Sequence, residues 1–405
     1  MKRSGDLRLL VAAFGDPGHA FPAISLGREL AARGHRVLIE TWERWREPVE
    51  EIGLEFRAAE EYRVFPPPDP ESEEIGAAAD AAQALAPLME ELEPHLVVSD
   101  ILTLAPTLAA EVAGVPSATL IPHIYPVHEP ELPFFAVGVE PARTPVGRWL
   151  WRTALPLLET GLRIGRRELN EQRARLGLGP LDRFHGAISE ELALVGTFPQ
   201  LEYPRRWPAG TRVTGPLHFE VPYPDIELPA GDAPLVLVAP STAHDPASRL
   251  VRTALEALAD EPVRVVATLN KMQPREPIPV PANAVLADWL SYSQVMPQAS
   301  LVISHGGHGT VARALTEGVP VLVSPKVGDM AENAARISWA GVGLSVPWRL
   351  CRPAPLRWAA RELLRDPGFA ERAGRIGRWA AVNDGARRAA ELVEAQALSP
   401  RAMRT

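Results

Sequence analysis

Cysteine, lysine and long apolar runs are scarce in this chain, and each shortage removes a class of protein. The single cysteine, Cys351, cannot close an intrachain disulfide. That fits a reducing compartment and sets the expectation of a cytoplasmic protein. No apolar stretch approaches the roughly 20 residues of a spanning helix, so no stable membrane insertion is expected. The opening MKRSGDLRLLVAAFGDPGH has the basic tip and short apolar run of an export signal, but no small-residue cleavage site follows it. Positive charge is in deficit as well. A net charge of -8 argues against a nucleic-acid binder, since phosphate backbones are gripped by summed positive charge. Of the 42 basic residues all but Lys2, Lys271 and Lys326 are arginine, a skew that GC-rich codons explain and that identifies no site.

What is present is ordinary globular material, 46% hydrophobic over 405 residues, enough for two or three domains with sizeable cores. Leu7 to Phe14 is a continuous apolar run, the mark of a strand buried on both faces of a parallel sheet. The glycine-bearing GDPGH follows. From about Phe21 to Arg33, Ile24, Leu26, Leu30 and Ala31 recur at helical spacing until Gly34 stops the helix before HRVLIE. HLVVSD (95 to 100), LAPTLAAEVAG and SATLI repeat the alternation of strand, helix and strand. So does LVISHGGHGTVARALTEGVPVLV (301 to 323), with a helix expected from about Thr310 to Glu317. Such alternation implies doubly wound α/β units. Residues 215 to 234, GPLHFEVPYPDIELPAGDAP, are proline-dense without apolar periodicity and read as an extended linker. The expected division is 1–214, a linker at 215–234, and 235–405, whose last segment (355 to 398) is helical.

In open α/β sheets ligands bind beyond the carboxyl ends of strands. The loop after LVIS lies at such an end. The amides of Gly307, His308, Gly309 and Thr310 would open the following helix, where unpaired N–H groups and the helix dipole favour a phosphate. The Thr310 hydroxyl and His305 imidazole could add donors. A tight turn made only for packing is the alternative, and a metal site on His305 and His308 lacks further ligands at recognisable spacing. The acidic DPE at 69 to 71 reads as a solvated loop. No metal is expected.

HGGHGTVARALTEGVPVLVSPKVGDMAENAARI, preceded by DWLSYSQVMPQASLVIS, closely resembles the donor-site signature of family 1 glycosyltransferases, the bacterial natural-product and plant UDP-glycosyltransferase group. GHAFPAISLGRELAARGHRV resembles that family's opening helix, so the likeness spans nearly the whole chain. It implies the GT-B fold: α/β, two Rossmann-like doubly wound domains facing across a cleft, with C-terminal helices packing back on the N-terminal domain. It further implies that His305 and the amides of Gly307 to Thr310 cradle a pyrophosphate, that Trp289 stacks on the nucleobase, and that Asp329 accepts hydrogen bonds from donor-sugar hydroxyls. Thr242 would touch a phosphate. His19 would be the general base and Asp100 its partner carboxylate. The implied reaction is an inverting, metal-independent transfer from a UDP- or dTDP-sugar to a hydroxyl of a small hydrophobic acceptor, with no cofactor besides that co-substrate.

The sequence departs from the family at two positions. Arg313 stands where a glutamate usually accepts ribose hydroxyls. A guanidinium only donates, so a 2'-deoxyribose would lose least; Arg313 would instead reach a phosphate or point at solvent. Met330 replaces a usual glutamine after Asp329. For the acceptor, HIYPVHEPELPFF (123 to 135) offers His123, Tyr125, Phe134 and Phe135 as lining, with an ordinary core edge as the alternative. The segment 148 to 167 reads as a helix flanking that cleft, or as a membrane-surface helix. A binder of nucleotide sugars without turnover, or a UDP-sugar epimerase of the same architecture, stays open, as does a homodimer. A dehydrogenase does not fit, because GDPGHA lacks G-x-G-x-x-G.

Overall fold

The structure, a computed structural model, describes residues 7–59, 74–241, 245, 247–326 and 328–399. Two parallel sheets organise it. The first has seven strands: β1 (Arg8–Ala12), β2 (Arg36–Thr41), β3 (Glu55–Ala58), β4 (Leu96–Asp100), β5 (Ser117–Ile121), β6 (Ala193–Val195) and β7 (Thr211–Val213). Their spatial order is β3-β2-β1-β4-β5-β6-β7. The second has six: β8 (Leu235–Ala239), β9 (Arg264–Thr268), β10 (Ala284–Ala287), β11 (Ala299–Ser304), β12 (Val321–Val323) and β13 (Gly343–Ser345), in the order β10-β9-β8-β11-β12-β13. Each order reverses direction once, between β1 and β4 and between β8 and β11. Such switch points leave a crevice at the strands' carboxyl ends.

The apolar runs become strands because both sheet faces are covered. Leu9, Val11 and Val98 face the helix Pro17–Ala32, while Leu10, Leu38 and Val97 face the helices Ala86–Leu92 and Ala105–Val112. Every one of these six side chains is at most 7% exposed, and each contributes about 1.5–3 kcal/mol by leaving water. The C-terminal helix Gly385–Ala397 adds Ala389, Ala390 and Val393 to the first sheet's core, and its Glu394 accepts hydrogen bonds from Arg33 Nε (2.7 Å) and His35 Nε2 (2.8 Å).

Residues 214–234 hold neither helix nor strand, yet they do not run free. Leu217 and Phe219 are buried in the first core, and Ile226 and Leu228 pack against the second. The segment is a packed strap. Residues 148 to 167 lie within one helix, Pro145–Arg175, capped by Thr144, whose Oγ1 accepts the Gly147 amide. Among the described residues no helix is long and apolar enough to cross a membrane.

Candidate active site

β1 ends at Ala12, and the chain turns into the helix Pro17–Ala32 with Pro17 at its first position, where a missing N–H costs nothing. His19 sits in that first turn. Its Nδ1 donates to Asp100 Oδ2 at 2.8 Å, and Asp100, last residue of the neighbouring β4, is fully buried while its Oδ1 accepts the Leu102 amide at 2.9 Å. The switch point is what brings two residues 81 apart in sequence together. Donation from Nδ1 leaves the lone pair on Nε2. Burial works against charge on His19, but the charge of Asp100 and its hydrogen bond outweigh that, and Asp16 and Asp329 add to them. The net effect raises the imidazole above its ordinary value. Asp329 belongs to the other half of the chain, so the two halves meet here.

On that other side β11 ends at Ser304 and the loop 305–307 leads into the helix His308–Thr316. Gly306 has φ +95°, and a Cβ there would come within 3.1 Å of the Met330 carbonyl oxygen. A Cβ on Gly307 would come within 2.4 Å of His305 Nε2. The two glycines therefore let the chain fold under His305, and Gly307 takes the extended N-cap conformation that frees the next amides. The His308 imidazole turns away from this opening: Nδ1 lies 3.1 Å from Asn333 Oδ1 and Nε2 3.3 Å from the Gly196 carbonyl oxygen, a link between the two halves. Its amide alone remains at the loop. The Tyr292 hydroxyl, which donates to Asn270 Oδ1 at 3.3 Å, lies beside that of Thr310. Asp329 is exposed at the first position of the helix Asp329–Ala340, and Met330 is buried beneath the loop.

Arg313 neither reaches the helix start nor faces solvent, which corrects both expectations for it. It donates to the Phe219 carbonyl oxygen at 3.1 Å and to Glu220 Oε2 at 3.4 Å, and is 14% exposed. The strap holds it, and Glu220 in turn accepts the amides of Tyr292 (2.5 Å) and Ser293 (3.2 Å). Trp289 is half-buried beside Tyr223, ring centroids 6.5 Å apart, with the Lys271 ammonium 5.2 Å from the indole. Glu220, Tyr223 and Lys271 escaped the sequence reading. Lys271 carried a signal, being one of three lysines in an arginine-rich chain. Thr242 and the 69–71 triplet lie outside the described residues. Among the described residues no three His, Cys, Asp or Glu side chains gather as a metal site would need.

The acceptor candidates divide. His123 lies 5.8 Å from His19, edge to face, and stacks on Phe135 at 5.8 Å. Phe134 packs on Trp151 of the helix Pro145–Arg175 at 5.3 Å. Tyr125 is 4% exposed and packs with Ile121 and Val195; its ring meets Trp207 and Arg205, and it borders a small cavity that Phe135 also lines.

Two facing nucleotide-binding-type α/β sheets, with an imidazole–carboxylate pair on one and a glycine loop at a helix start on the other, define a two-domain group-transfer enzyme. Residues 252–393 match the model for the erythromycin biosynthesis protein CIII-like C-terminal domain. The chain is 30% identical to 4'-demethylrebeccamycin synthase of Lentzea aerocolonigenes, over 96% of this chain and 99% of that one. Among solved structures it resembles the glycosyltransferase of kitacinnamycin (TM-score 0.75, 24% identity, 97% and 99% covered) and VinC in complex with dTDP (TM-score 0.69, 21% identity, 98% and 100% covered). The chain belongs to the family 1 natural-product glycosyltransferases and has their GT-B fold.

Proposed function

We propose that the enzyme is an inverting glycosyltransferase that takes its sugar from a dTDP-sugar, in preference to a UDP-sugar, and passes it without metal or cofactor to a hydroxyl of a small hydrophobic acceptor. The observation that carries the reaction is the His19–Asp100 pair within the electrostatic reach of Asp329. An acceptor hydroxyl is a poor nucleophile at neutral pH, and a neutral imidazole with its lone pair on Nε2 is the economical base. His19 takes the proton, the oxygen bonds to the anomeric carbon from the side opposite the nucleotide, and the bond to the diphosphate breaks. The displaced diphosphate carries its charge to His305 and the amides of His308, Gly309 and Thr310, fixed donors each commonly worth a few kcal/mol in such a site. A binder without turnover would have no use for a buried carboxylate held against His19.

Arg313 and Glu220 support the nucleotide preference. No carboxylate stands at 313 to accept ribose hydroxyls, and the nearest, Glu220, already has both oxygens engaged. A ribose 2'-hydroxyl gains no partner there and is desolvated at a cost of about 1–3 kcal/mol; a deoxyribose avoids it. The dTDP bound in VinC accords with this choice. Thermal shifts with dTDP and UDP at equal concentration test it, because stabilisation grows with the logarithm of saturation. The larger shift is expected with dTDP; an equal or larger one with UDP overturns the preference. Transfer from a dTDP-sugar with the anomeric configuration unchanged would overturn the inverting mechanism.

A further inference from the structure

We propose that His123 is a fixed hydrogen-bond acceptor beside the base, and that it selects acceptors carrying a second hydroxyl next to the one that reacts, a catechol or vicinal diol. His123 lies two residues beyond the end of β5, the strand that pairs with the one ending in Asp100. Its Nδ1 donates to the Ile124 carbonyl oxygen at 2.8 Å. That bond decides the tautomer, because a carbonyl can only accept. Nε2 is left with a lone pair, and among the described residues nothing in the protein donates to it. The ring cannot turn to relieve this, since Phe135 stacks on one face and His19 meets it edge to face.

Two imidazoles 5.8 Å apart have been driven in opposite directions. His19 is raised, chiefly by Asp100 against its burial. His123 is pushed down to about 4 by burial first and by the neighbouring His19 second. Across the pH range in which His19 can act as a base, His123 is therefore neutral. It is too weak to take a proton and keeps one lone pair available. Diverging environments of this kind separate roles. The reacting hydroxyl donates to His19 Nε2, and a hydroxyl on the adjacent carbon, about 2.8 Å away, can donate to His123 Nε2. An acceptor with one hydroxyl leaves that lone pair to water.

The inference rests on the transferase reading for calling the guest an acceptor, but its test requires no transfer. The Kd of 6,7-dihydroxycoumarin and of 7-hydroxycoumarin would be measured by fluorescence titration against the full chain saturated with dTDP. The dihydroxy compound is expected to bind about three- to tenfold tighter, the range one neutral hydrogen bond supplies. In His123→Phe, which keeps a ring against Phe135 but has no acceptor nitrogen, the ratio should fall to near one; His123→Gln, which restores an acceptor, should recover part of it. Equal binding by the native chain, or a ratio preserved in His123→Phe, overturns the proposal. Absence of sugar transfer alongside a His123-dependent ratio would count against the transferase reading alone.

Discussion

At the scale of single residues, His19 is asked to be neutral before reaction and charged after it. Asp100 serves the second state, since its carboxylate is buried, already bonded to the Leu102 amide and 2.8 Å from Nδ1. The same attraction makes His19 harder to deprotonate. The sign follows: a base with a raised pKa is inactive below it, so kcat/KM should rise with pH through a midpoint above the ordinary histidine value of about 6.5. Asp100→Asn should move that midpoint down and lower the plateau, because the amide neither favours the imidazolium nor fixes the tautomer as firmly. A pH–rate profile of both proteins checks this, and a midpoint unmoved by the substitution would remove Asp100 from the role. His19→Ala should cost about 10²- to 10⁴-fold in turnover while dTDP affinity by calorimetry stays within a few fold. Loss of both together would place His19 in the donor site instead.

At the scale of elements, the loop and helix start at 305–310 behave as one device, and Gly307 is its sensitive point. A methyl there would have to displace the His305 imidazole, 2.4 Å from the position of the added carbon. Gly307 has φ -60° and ψ 137°, which alanine tolerates, so the cost should fall on ligand binding and not on folding. Gly307→Ala is expected to weaken dTDP binding about 10- to 100-fold, as a lost charge-assisted contact of roughly 1.5–3 kcal/mol implies, with Tm changed by less than a few degrees. A large fall in Tm with normal affinity would show the glycine to be a packing residue. Much of this device could be read from sequence: apolar runs bounded by glycine fix strands and turns locally; β1, β4 and β5 fall within the runs expected, and β11 contains the expected LVIS but starts two residues earlier, at Ala299. The helix begins at His308, two residues before the expected Thr310, because Gly307 already adopts the N-cap conformation. What could not be read depends on distant partners. His308 bonds Gly196, 112 residues away, and Arg313 bonds Phe219, 94 away. Leu217 and Phe219 enter the core from a strap whose prolines erase any period.

At the scale of the molecule, a buried network links the half that holds the candidate base to the half that holds the glycine loop. Arg336, on the helix that begins at Asp329, is 5% exposed and donates to Glu332 Oε1 at 2.8 Å, to the Leu201 carbonyl oxygen at 3.0 Å and to Glu202 Oε2 at 3.3 Å. Its guanidinium also lies over the Tyr203 ring at 3.4 Å. Glu332 accepts the Ala136 amide and Glu202 accepts the Tyr125 amide, so one cation serves two carboxylates that fasten both halves of the chain. Burial pushes Glu202 up, and Arg336 is the strongest influence holding it down. Arg336→Met keeps the volume and removes the charge, stranding two carboxylates in a dry site. The expected loss is about 3–5 kcal/mol, read as a drop in the urea midpoint. It should be smaller at pH 5.5 than at pH 8. With the arginine gone, Glu202 binds its proton more tightly folded than unfolded, so the folded state holds more protons and stability falls as pH rises. A loss equal at both pH values would mean that solvent or another cation already neutralises the pair. In that case the network would not be what keeps His19 and the 305–310 loop in register.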